Sequence, residues 1–112
     1  MDIGETFSAA SPADFRRWLE ANHASKKDIW LVIYKKASGK TGIRYDEAVD
    51  EALCFGWIDV IMKSIDTEKY AQRFCPRRKG GNWTEANRAK ARALIAAGRM
   101  TEAGMAALPP DF

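Results

Sequence analysis

Apolar positions in this chain repeat at two spacings, and the spacing switches several times. Phe15, Trp18 and Leu19 fall at helical intervals behind Ser11-Pro-Ala-Asp14. A serine followed by proline starts a helix: the hydroxyl accepts a bond from the first turn, and proline gives up an N–H that would have no partner there. This helix is expected to end near Asn22 or His23. Asp28-Ile-Trp-Leu-Val-Ile-Tyr-Lys36 is β-branched and aromatic, which predicts a strand. From residue 46 to about 55 the period returns to helical. Ala48, Val49, Ala52 and Leu53 mark a buried stripe, and Glu47, Asp50 and Glu51 a wet one. Gly56 is placed to turn the chain out of that helix. Residues 60–65 and 69–75 alternate well enough to predict two strands, joined through Asp66-Thr-Glu68 and stopped by Pro76. Thr84 then caps a third helix over 85–97, closed by Gly98. Thr101 caps a short fourth, ended by Pro109-Pro110.

The expected order is helix, strand, helix, strand, strand, helix, helix. That is an α+β fold: a small, mainly antiparallel three-stranded sheet packed by about four helices. With 112 residues, 46% of them hydrophobic, the chain suits one domain over 1–112 with one real core. Trp18, Trp30, Leu53, Trp57 and Leu94 are expected to be mostly buried.

Charge adds a feature that hydropathy does not. Between Lys69 and Arg99 stand nine cations and one acid, Glu85, a net of +8. The whole chain carries +3, so the remainder sums to −5. The densest part is Arg73-Phe-Cys-Pro-Arg-Arg-Lys-Gly-Gly-Asn-Trp83. It gathers Arg73, Arg77, Arg78 and Lys79 with two glycines, Asn82 and Trp83 in one turn. Cations beside an aromatic ring on a pliant backbone suit an anionic small molecule, a phosphate chain, a stacked base or an acidic protein surface. The third helix begins directly after this turn, so its free N–H groups would add to the cations. The competing reading is a solvated basic loop, its charges balanced by the acidic second helix, with Trp83 in the core.

Other chemistry is thinly represented. His23 is the one histidine and no Cys-x-x-Cys occurs, so no metal set is expected. Ser38-Gly-Lys-Thr-Gly42 lacks the first glycine of a phosphate-binding P-loop, and no cofactor fingerprint is present. Cys54 reads as core. Cys75, among arginines, is a weak candidate for a depressed pKa. Asp59 and Asp66 bracket a strand and read as turn residues before they read as acid/base groups. No secretory signal and no apolar run of about 20 residues is seen, which predicts a cytoplasmic protein with both thiols reduced.

The motifs, taken together and in order, resemble a known family. Glu51-Ala-Leu-Cys-Phe-Gly-Trp-Ile-Asp59, Lys63-Ser-Ile-Asp66, Tyr70-Ala-Gln-Arg-Phe74, Pro76-Arg-Arg-Lys79, Asn82-Trp83, Asn87 and Gly98-Arg-Met-Thr-Glu-Ala-Gly104 are similar to the YdeI/OmpD-associated (bacteriocin-protection) family. The similarity runs from the first helix to about Ala107, the core region without the C-terminal helical segment of longer members. Val60 stands where a glycine is common, and Cys75 where threonine is common. The resemblance implies a role in stress or antimicrobial-peptide protection and brings no catalytic residues. It adds Trp57, Asp59, Lys63 and Asn87 to the candidate ligand-binding set of Arg73, Arg77, Arg78, Lys79, Asn82 and Trp83. The expected function is a non-enzymatic module that binds an anionic ligand or partner through the basic turn. Two alternatives stay open: a nucleic-acid-binding domain using the same face, and an enzyme on a small anion with Asp59 or Asp66 as base.

Overall fold

Capping places the helices where the sequence expects them. The computed structural model describes residues 2–78 and 83–112. The elements in chain order are β1 (Thr6–Ser8), α1 (Pro12–Asn22), β2 (Ile29–Tyr34), α2 (Tyr45–Cys54), β3 (Trp57–Ser64), β4 (Lys69–Pro76), α3 (Glu85–Ala96) and α4 (Glu102–Ala106). Ser11 Oγ accepts from Asp14 N at 3.3 Å, with Pro12 at the first helical position. Thr84 and Thr101 cap α3 and α4 in the same way.

The fold is α+β, with four helices against one sheet. The sheet corrects the expectation of three mainly antiparallel strands: it has four, in the order β1-β2-β4-β3, and is mixed. The added strand is β1, which runs parallel to β2 with Phe7 beside Leu31. Three residues with one apolar side chain carry too little pattern to read as a strand. β1 exists because β2 offers it an edge, and α1 supplies the crossover that a parallel pair needs. β4 pairs antiparallel with both β2 and β3. β3 starts three residues earlier than expected. Gly56, at φ +75°, turns directly from α2 into the strand, and its carbonyl accepts from Arg77 N at 2.9 Å. Pro76 closes β4 opposite Trp57, a position where its missing N–H is not required by the ladder.

Alternation along β2 sends Ile29, Leu31 and Ile33 into the main core, where they meet Phe15 and Leu19 of α1 and Leu53 of α2. Phe15 packs on Phe74 at 5.4 Å between ring centroids, and Trp18 meets Trp57 edge-on at 5.8 Å. Trp30, Leu53, Trp57 and Leu94 are buried as expected, while Trp18 is half-buried.

The wet face of α2 also needs correcting. Glu51 is 4% exposed. Its Oε1 accepts from Arg16 at 3.2 Å and its Oε2 from Arg99, while Arg16 also donates to the Arg99 carbonyl at 2.8 Å. Helical spacing puts Glu51 at the border of the apolar stripe. Two arginines from distant segments allow it to be buried there. Below it α4 packs so tightly that a Cβ on Gly104 would lie 2.3 Å from the Cys54 carbonyl oxygen. Replacing Glu51 with Ala strands two guanidinium groups around a partly dry site and is expected to cost about 3 kcal/mol. Denaturant unfolding of the E51A variant measures this, and a loss under about 0.5 kcal/mol would reduce the cluster to a surface ion pair.

Candidate functional site

The end of the β3–β4 ribbon near Pro76 gathers Asp59, Arg73, Arg77 and Arg78, with Trp83 against Arg77. A cavity of about 490 Å³ opens there, lined by Ile58, Asp59 and Val60 of β3 and by Arg73, Cys75, Pro76, Arg77 and Arg78. The register explains the grouping. Antiparallel pairing sets Ile58 against Cys75 and Asp59 against Phe74, then slips at a bulge between Asp59 and Ile61. The bulge brings Val60 and Ile61 against the single residue Arg73 and widens the strand locally.

Arg77 is the central side chain. Its guanidinium lies over the Trp83 ring, 4.0 Å from the centroid. Burial pushes its pKa down from the usual arginine value, with the Asp59 carboxylate partly opposing that shift. Its Nε is buried without a hydrogen-bond partner among the described residues. A buried donor left without a partner costs about 1–3 kcal/mol, so such groups are rare and tend to be functional. Arg78 is exposed at the rim and joins no ion pair among the described residues. Arg73 is held instead, its Nε 2.9 Å from Asp28 Oδ2. Asp59 accepts from the Tyr45 hydroxyl. Desolvation comes first, and this bond adds to it, in pushing the Tyr45 phenol up to about 12.

The remaining candidates fall in different places. Trp57 is 2% exposed and packs on Trp18, so it supports the site from within the core and cannot touch a ligand. Lys63 is exposed further along β3, beyond the residues that line the cavity. Asn87 sits in the first turn of α3, where its N–H already donates to Thr84 Oγ1 at 3.1 Å. Lys79 and Asn82, with the two glycines between them, lie outside the described residues. Asp66 is a turn residue: its Oδ1 accepts from the N–H groups of Glu68 and Lys69, and these bonds lower its pKa. Cys75 does not have the depressed pKa suggested by its neighbours. Burial raises it and outweighs Arg73 and Arg78.

The strongly basic span is also largely neutralised. Of its eight described cations, Lys69, Arg73, Arg88, Lys90 and Arg99 stand in ion pairs with Asp66, Asp28, Asp111, Asp50 and Glu51. Arg92 lies over the Phe112 ring at 4.8 Å. The face shared by Arg88 and Arg92 on α3 is thus covered by the end of the chain.

A second, larger cleft of about 910 Å³ was not legible in the sequence. Its walls include Ser11 ahead of α1, Tyr34, Lys40, Arg44 and Tyr45 on the stretch from β2 into α2, and Tyr70 of β4, three separated segments. No local spacing links these residues. Lys40 there is paired with Glu68 and Arg44 with Asp46, which leaves less unsatisfied charge than at Arg77 and Arg78.

The chain belongs to the DUF8412 family, a domain of unknown function. That family's profile matches residues 7–107, which include both walls of the cavity. No curated protein and no solved structure matches the chain.

Two titrations follow from the site. A phenol whose folded pKa lies above its ordinary value of about 10 stabilises the fold below pH ~10 and loses that contribution as pH rises through about 12. Alkaline unfolding is therefore expected to be shallower over that window in the Tyr45→Phe variant than in the wild type; identical curves would remove the Tyr45–Asp59 bond as a stabilising contact. For the thiols, iodoacetamide is expected to label Cys75 slowly at neutral pH and faster as pH climbs past the ordinary thiol range. Cys54, fully buried, is expected to react only on unfolding. Fast labelling of Cys75 at neutral pH would restore it as a reactive group.

Proposed function

We propose that this protein is a non-enzymatic binding module of the YdeI type that takes a small phosphate-bearing anion at the cavity lined by Arg77 and Arg78, acting in the cytoplasm in stress or antimicrobial-peptide protection. The observation that carries the reading is the state of Arg77. Its charge is partly desolvated, its guanidinium lies over the Trp83 ring, and its Nε has no acceptor among the described residues. An anion oxygen in the cavity would relieve that deficit after a small side-chain shift, and Arg78 would add a second cation at the rim. A guanidinium suits phosphate because its donors lie in a planar fork. The stacked indole limits the rotamers that must be frozen on binding.

Small anions are favoured over nucleic acid by the ion pairing of the basic span. A duplex or single strand would need a track of available cations, and most of these already face carboxylates. An enzymatic reading retains only Asp59 as a base, and the Tyr45 hydroxyl already donates to it. The YdeI assignment rests on the motif run from Glu51 to Gly104, and the protective role on that assignment.

Calorimetric titration with pyrophosphate and with AMP tests the binding claim. The wild type is expected to bind at least one of them, and the double change Arg77→Ala, Arg78→Ala to abolish binding while shifting stability by less than about 1 kcal/mol. A large stability loss with binding unchanged would make the arginines structural. Binding of an oligonucleotide with a steep loss on adding salt would favour the nucleic-acid reading.

A further inference from the structure

The outer half of β3 exposes apolar side chains on both faces of the sheet. Val60, Ile61, Met62 and Ile65 are 51, 43, 57 and 39% exposed. β3 is the last strand of the sheet, so one side of its backbone faces no other strand. The ladder identifies the outward groups. Ile65 N donates to Lys69 O at 3.1 Å, so alternation points residues 61, 63 and 65 at β4 and leaves the N–H and C=O of Met62 and Ser64 outward. No hydrogen bond to the Met62 backbone on that side occurs among the described residues. An apolar edge templates pairing with another strand unless it is shielded; the bulge between Asp59 and Ile61 bends the first half of β3 and leaves the stretch around Met62 regular.

We propose that β3 pairs antiparallel with β3 of a second copy of this chain, about a two-fold axis through Met62, to form a continuous eight-stranded sheet. The sequence of the strand is complementary to itself in that register. Met62 meets the partner's Met62 on one face. Once the bulge is counted, the methylenes of the partner's Lys63 cover Val60 and Ile61 on the other face. Ile65 lies across from the partner's Ile58, and Asp59 across from the partner's Ser64, so no like charges meet. An axis one residue further along would oppose Lys63 to the partner's Lys63, which cross-strand repulsion disfavours. The arrangement also closes on itself. A two-fold pairing uses both β3 edges, and the other end of the sheet is β1, three residues long, too short to continue the array. Ile58, Asp59 and Val60 belong both to this edge and to the cavity wall, whereas Met62 lies outside the cavity, so a change at Met62 tests the pairing separately from the anion site.

Sedimentation equilibrium over a range of protein concentrations, together with a cysteine pair test, decides it. The wild type is expected to show a concentration-dependent dimer, and Met62→Glu to be a folded monomer whose melting temperature does not vary with concentration. Residues paired across the axis lie about 5.5 Å apart at Cα, within disulfide reach. Under oxidising conditions Met62→Cys is therefore expected to cross-link to its own copy, and Ser64→Cys, off the axis, is not. A wild-type monomer at every concentration overturns the proposal. A dimer that Met62→Glu leaves intact overturns it as well, as does cross-linking of Ser64→Cys in preference to Met62→Cys.

Discussion

The arrangement of the helices depends on one buried carboxylate. Glu51 on α2 is almost wholly enclosed, and it is tolerated there because Arg16 from α1 and Arg99 from the segment before α4 each hold one of its oxygens. Arg16 also donates to the Arg99 carbonyl and lies over Phe55, 5.2 Å from the ring centroid. One charged cluster therefore ties three parts of the chain that are far apart in sequence. The apolar contacts around it give most of the stability, but they are non-directional. The cluster fixes which helix faces which, because a stranded charge in that place would cost more than any single apolar contact returns.

That constraint reaches the candidate site through Cys54 and Gly56. The Cys54 carbonyl accepts from Thr101 N at 3.0 Å, and α4 can approach it only because residue 104 has no side chain. Gly56 then turns at positive φ against Ala103 and Ala107 and sends Trp57 into β3 with its ring in the core. The direction of β3 is thus set before its exposed half begins. Pairing with β4 brings Asp59 and Val60 opposite the residues that lead to Arg77. The cavity is a by-product of a fixed helix end, a bulge and a basic strand end.

Several features of this geometry were legible as local chemistry. The caps at Ser11, Thr84 and Thr101 and the glycine at 56 are decided by neighbours within four residues, so the helix boundaries follow from the sequence. The joining of Arg73, Arg77, Arg78 and Trp83 in one region was also legible, because they are close in the chain. What was not legible was which of the cations is occupied. Arg73 finds Asp28, Lys90 finds Asp50 and Arg99 finds Glu51, over separations of 45, 40 and 48 residues. The pKa of Cys75 was misread for the same reason. Nearby arginines are visible in sequence, whereas the burial that outweighs them is not.

By itself the sequence determined the class of fold, the order of the long elements and the caps that start three of the helices. These depend on periodicity and on short-range capping, which are properties of a few consecutive residues. Tertiary structure alone decided that β1 joins the sheet, that Glu51 is inside, that Trp57 is scaffold and Arg77 is not, and that β3 is an edge with apolar side chains exposed. Each of these depends on which distant segment comes to lie alongside, and that is set by the packing of the whole chain at once.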